Sequence, residues 1–84
     1  MVKYRSTALD DTFAALADPI RRAVVDRLVD GPRTVSSLAE AYPISLPGFL
    51  RHLRLLEAAG LVVTVKVDRT RHCHLDPHGF DVAT

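Results

Sequence analysis

The 84-residue chain has no tryptophan, one cysteine, four glycines and few aromatic residues (6%). A single cysteine cannot close an internal disulfide, which excludes a small secreted scaffold held by bridges. No apolar run approaches the roughly 18 residues that a membrane span needs. Eleven basic groups stand against ten acidic ones, for a formal charge of +1. That excludes a polycationic tail binding nucleic acid by bulk charge. Met1-Val2-Lys3-Tyr4-Arg5 leads into polar residues and not into an apolar leader segment, so the expected location is the cytoplasm. No glycine-rich phosphate loop, nucleophile elbow, internal repeat or low-complexity segment appears.

What remains is an ordinary globular composition, 48% apolar and 25% charged. The length predicts one domain spanning residues 1–84. A domain of this size hides only about 60% of its unfolded surface, so a partner subunit would help it. The basic excess lies in the second half. Residues 1–44 balance six basic against six acidic groups, whereas residues 45–76 carry five basic and three acidic ones. The four histidines, His52, His72, His74 and His78, lie there too.

Periodicity predicts four helices and a hairpin. In residues 7–17, Leu9, Phe13 and Leu16 fall on one helical face. Asp18-Pro19 is a cap followed by a favourable first helical residue, and Ile20, Val24, Val25 and Leu28 repeat at the helical period. Asp30-Gly31-Pro32 ends that helix. Thr34 caps a short third helix with Val35, Leu38, Ala39 and Tyr42 on its apolar side, and Pro43 stops it. Ser45 caps a fourth, residues 46–59, with Pro47 tolerated in its first turn and Gly60 as its exit. Its buried face is expected to be Leu46, Phe49, Leu50, Leu53 and Leu56. From Leu61 the period changes to two. Residues 61–67 and 71–75 read as strands around the turn Asp68-Arg69-Thr70. A tight helix pair followed by a ribbon predicts a mainly helical winged helix-turn-helix, in the order α-α-α-α-β-β.

In such a module the second helix of the pair enters the major groove and the ribbon tip reaches the backbone or minor groove. On the fourth helix the face opposite the apolar one shows Gly48, Arg51, His52 and Leu55, with Arg54 on a flank. Arg51 can address guanine O6 and N7, His52 a phosphate or base, and Gly48 allows close approach. Thr34, Ser36 and Ser37 stand at the third helix's start, where free N–H groups can meet a phosphate. Lys66, Arg69 and Arg71 cluster at the ribbon tip and suit phosphate or a narrow minor groove. A solvated polar face, plain capping and a charged edge ribbon explain the same residues one by one. Their order along the chain favours DNA.

Several segments also resemble the ArsR-type bacterial repressors. Phe13-Ala14-Ala15-Leu16-Ala17-Asp18-Pro19-Ile20-Arg21-Arg22 is similar to that family's F-x-A-L-A-D-P-x-R-R, and Thr34-Val35-Ser36-Ser37-Leu38-Ala39-Glu40 to its T-V-x-E-L-A-E helix. Ser45-Leu46-Pro47 and the run from His52 to Val62 resemble S-x-P-A-V-S-K-H-L-x-x-L-E-x-A-G-L-V. Arg69-Thr70-Arg71 and Leu75-Asp76-Pro77 resemble the wing, G-R-x-R-x-x-x-L-D-P. The resemblance covers about residues 12–77. It implies a dimeric, ligand- or metal-responsive repressor on a pseudo-palindromic operator. Arg51 and His52, with Ser45, Pro47, Gly48 and Arg54 around them, would lie on its recognition helix, and Arg69 and Arg71, beside Lys66, on its wing.

Several positions depart from that pattern. Gly48, Phe49 and Leu50 replace a small residue, Val and a DNA-facing Ser; Leu50 can touch a thymine methyl or extend the core. Asp68 stands where the wing has Gly. The third helix lacks the metal-sensing cysteine pair, so no metal or other cofactor is expected. The sequence stops about seven residues after Asp76-Pro77, which makes the family's C-terminal dimerisation helix short or missing; either the first helix, through Leu9, Phe13 and Leu16, carries the expected homodimer, or this is a shortened module. His72, His74 and Asp76 share a strand face that suits zinc or nickel, but a polar ribbon face with Cys73 turned inward is the favoured reading. Neighbouring strand positions face opposite ways, so neither His72 nor His74 can activate Cys73, and no enzyme activity is expected. The alternative function is a winged helix used for protein–protein contact, supported by Phe49, Leu50 and Asp68. The inducing effector and the operator are not legible.

Overall fold

The computed structural model describes residues 3–79. Four helices, α1 (Lys3–Leu16), α2 (Pro19–Leu28), α3 (Val35–Glu40) and α4 (Leu46–Ala58), pack with three strands, β1 (Arg33–Thr34), β2 (Val62–Val67) and β3 (Thr70–Leu75). This is the winged helix-turn-helix. The sheet is antiparallel in the order β1-β3-β2. The ribbon therefore has a third strand, β1, which pairs Arg33 with Cys73 and Thr34 with His72. Two residues are too few to show a period, so the alternation that reveals β2 and β3 could not reveal it.

Local chemistry sets the helix ends. Asp18 Oδ2 accepts from the amides of Ile20 (2.8 Å) and Arg21 (3.0 Å), with Pro19 in the first turn. Thr34 Oγ1 and Ser45 Oγ each accept at 3.1 Å, from Ser37 and Gly48. Gly60 takes φ 76° at the end of α4, its amide bonds Glu57 O (2.9 Å), and the Leu61 amide bonds Leu56 O (3.0 Å). That pair of bonds is the Schellman exit, which a glycine enters without a Cβ penalty. At the hairpin tip Asp68 occupies the left-handed region (φ 56°), which Asp tolerates better than most side chains. Thr70 is already in β3, opposite Val67, so the turn is shorter than the sequence suggests.

Val24, Leu28, Val35, Leu38, Phe49, Leu53, Leu56, Leu61, Val62 and Cys73 form the core, with Ala15 from α1. Two expectations about faces change. Leu46 is 55% exposed, because the buried arc of α4 is centred on Phe49, Leu53 and Leu56. On α1 the buried positions are Thr12 and Ala15, Leu16 is half-buried, and Phe13 is 67% exposed. The Leu9 side chain lies outside the described residues. The small Ala14 and Ala15 line a cleft with Leu55 and Ala58 of α4 and Ala59 at its end, while the larger Phe13 lies on the exposed side of α1.

After β3 the backbone folds onto the exit of α4. The Asp76 amide bonds Leu61 O and the Gly79 amide bonds Asp76 O, both at 2.9 Å. A Cβ on Gly79 would lie 2.5 Å from Gly60 O and 3.0 Å from Leu61 Cα, both rigid backbone. Gly79→Ala is therefore expected to lower stability by about 1–3 kcal/mol through overpacking. A thermal midpoint within 2 °C of the parent, set against the roughly 4–8 °C per kcal/mol of so small a domain, would contradict this.

Candidate nucleic-acid interface

The outward arc of α4 carries Pro47, Arg51, Arg54 and Leu55, all exposed. Arg51 and Arg54 make no side-chain hydrogen bond or ion pair among the described residues. Both guanidiniums are free to meet an external acceptor.

Gly48 and His52 are placed differently from Arg51. The Gly48 amide serves the Ser45 cap, and a Cβ there would stand 3.1 Å from Ser45 Oγ, so capping accounts for this residue. His52 lies on the flank against α2. Its Nδ1 is 2.9 Å from an Arg21 terminal nitrogen and 3.8 Å from Asp18 Oδ2. A guanidinium only donates, so Nδ1 accepts from Arg21 when it carries no proton and faces Asp18 Oδ2 as a donor when it does. The same Arg21 donates from Nε to Ala15 O (2.7 Å) and from its other terminal nitrogen to Ala14 O (3.2 Å), while Arg22 donates to Leu16 O (2.7 Å). The Asp18-Pro19-Ile20-Arg21-Arg22 run thus starts α2, satisfies the last carbonyls of α1 and holds α4 through His52. No local pattern marks His52 as part of this joint, since its partner lies 31 residues away.

The Arg21 amide bond, above all, holds the Asp18 carboxyl below the ordinary carboxylate value of 3.8; the nearby His52 and Arg21 act the same way, and partial desolvation opposes them. A carboxyl depressed in the folded state adds stability above its unfolded pKa and loses it as pH falls through the folded value. The parent should therefore lose more stability between about pH 6 and about pH 3 than Asp18→Asn, which keeps a capping oxygen that does not titrate. Equal losses in chemical denaturation would show that this cap does not set acid sensitivity.

On the wing, Lys66 and Arg69 are exposed and without side-chain partners among the described residues. Arg71 is exposed too but is engaged: it donates to Thr64 Oγ1 (3.0 Å), which donates to Glu57 Oε2 of α4 (2.8 Å). Lys66 and Arg71 are direct cross-strand partners. Like charges so placed repel, and the Thr64–Glu57 chain draws one of them aside. Thr34 is half-buried in its cap, whereas Ser36 and Ser37 are exposed at the start of α3.

Cys73 points into the core. Burial, chiefly, pushes its thiol up to about 11; Glu57 adds to the shift and Arg71 opposes it. It is a neutral, sheltered thiol at physiological pH. His74 Nδ1 lies 3.0 Å from Leu75 O, and Asp76 Oδ1 accepts from the His78 amide. No group of three or more His, Cys, Asp or Glu side chains converges among the described residues. No described helix is long and apolar enough to cross a membrane.

Comparison with known proteins agrees with this geometry. A family profile described as a helix-turn-helix domain matches residues 16–65. The HTH-type transcriptional regulator Rv2034 of Mycobacterium tuberculosis is 43% identical over 80 residues, 95% of this chain and 73% of that protein. The transcriptional repressor SdpR of Bacillus subtilis is 35% identical over 64% of this chain and 60% of its own length. Among solved structures, the ArsR family transcriptional regulator RHA00566 superposes with a TM-score of 0.86 at 42% identity, covering 93% of this chain and 80% of that one. With its capped α3–α4 pair, its three-stranded wing and these relatives, the chain belongs to the ArsR family of winged helix-turn-helix transcriptional regulators.

Proposed function

We propose that the protein is a repressor that binds a pseudo-palindromic operator in double-stranded DNA as a homodimer. The observation that carries this reading is the pair of guanidiniums, Arg51 and Arg54, that have no partner among the described residues on the outward face of α4. Arg51 reads a base, and Arg54, Ser45 and Pro47 line its approach. Lys66, Arg69 and the exposed hydroxyls of Ser36 and Ser37 take phosphates. Arg71 is held against α4 and acts mainly by fixing the wing's angle. The exposed Phe13 and the half-buried Leu16 on α1 are the dimer contact, continuous with the alanine-lined cleft at the end of α4. SdpR and a second protein similar to this chain, SmtB of Mycobacterium tuberculosis, are named as transcriptional repressors, in line with this reading.

The exposed Leu46 beside Leu50 supports a second reading, an apolar protein contact. Salt separates the two. DNA binding falls steeply with salt because neutralised phosphates release counterions, and an apolar contact does not. Arg69→Ala is expected to weaken all duplexes alike and lower the salt slope by about 1, whereas Arg71→Ala changes it less. Binding of a selected duplex that is indifferent to salt would overturn the DNA reading.

A further inference from the structure

Leu46 begins α4 and is 55% exposed, although its neighbours in the sequence place it with the apolar face. Leu50 lies one turn further on, at the spacing that sets two side chains side by side. Both line a cleft of about 310 Å³ between the start of α3, the start of α4 and the wing, together with Val35, Arg69 and Arg71. Neither leucine can donate or accept a hydrogen bond. Both nonetheless sit on the first two turns of the helix whose N-terminal residues meet base edges in this motif.

Among the groups on the major-groove edges of the four base pairs, only the thymine C5-methyl is apolar. We propose that Leu46, backed by Leu50, selects thymine by enclosing that methyl, and so sets sequence preference at a position Arg51 does not read. The inference rests on the reading of α4 as the groove-entering helix. Charge argues for DNA as the occupant and against an apolar protein. Arg69 and Arg71 line the same cleft, and the unpartnered Arg51 and Arg54 lie on the adjoining arc of α4. A duplex offers its methyl beside phosphates, which matches a leucine pair set among cations.

The test uses the full chain and a duplex chosen by selection from random sequence. Each thymine is replaced in turn by uracil, which lacks only the methyl and keeps every hydrogen-bonding group. The expected result is a loss of about threefold to tenfold in affinity at one or two thymines, in line with a single lost apolar contact. Leu46→Ala, at an exposed position that leaves the core intact, should bind thymine and uracil duplexes equally there. Equal affinity of the parent for all uracil duplexes overturns the proposal, as does discrimination that persists in Leu46→Ala. If the parent binds no duplex in a salt-dependent way, the reading of α4 itself fails and this inference with it. Uracil-insensitive but salt-sensitive binding sinks the inference alone.

Discussion

Phe49→Ala is expected to leave the protein largely unfolded at 37 °C. Phe49 is fully buried at the centre of the core, and truncating a buried Phe costs about 3–5 kcal/mol. Domains have only about 0.05–0.15 kcal/mol of stability per residue, so the loss is comparable to the whole margin of a chain this short. The ring also stacks on Tyr42, with centroids 5.9 Å apart and planes 12° from parallel. That pairing explains why an aromatic stands where the family has Val. Tyr42, in the α3–α4 connection, forms the other wall of the site, and the two rings fill the volume together. Tyr42→Leu should therefore cost less than Phe49→Ala, and Phe49→Leu should fall between the parent and Phe49→Ala. Circular dichroism in urea reads all three. A Phe49→Ala unfolding free energy within about 0.5 kcal/mol of the parent's would mean that the core can collapse around the gap, contrary to its packing.

The largest effect on binding is expected at Arg51. Arg51→Ala should lose about 1–3 kcal/mol of affinity for a selected operator and relax preference at one base pair. The variant should melt like the parent, because the side chain is exposed and has no partner among the described residues to lose. Arg51→Lys keeps the charge but loses the fork that addresses guanine twice, so it should retain nonspecific affinity while losing preference at that base pair. His52→Gln should behave differently from both. Its effect should appear in stability, since its ring holds α2 and does not share the outward arc with Arg51. An Arg51→Ala protein that binds operator as tightly as the parent would remove α4 from the groove.

Much of this architecture is legible in the residues because its causes are local. Asp18, Thr34 and Ser45 announce helix starts two or three residues ahead of the amides they bond, and Gly60 announces an exit that only a left-handed residue makes cheaply. The change of period at Leu61 marks the ribbon for the same reason. What stays hidden depends on distant partners. β1 exists because β3 offers it a register, not because Arg33-Thr34 has a pattern. Periodicity resolves a helix face only to a broad sector, so Leu46 and Phe49 looked equivalent until the core chose Phe49. Position alone places His52 and Arg71 among the outward cations and donors. Their actual orientation is set by Arg21 and by the Thr64–Glu57 pair, which the sequence gives no means of locating.

The Arg21 side chain has one more consequence. A single guanidinium grips the tail of α1 and the imidazole of α4 at once. The tilt of α1 and the roll of α4 are therefore mechanically geared. A shift of the first helix thus reaches the fourth through one polar side chain, and not through apolar packing alone.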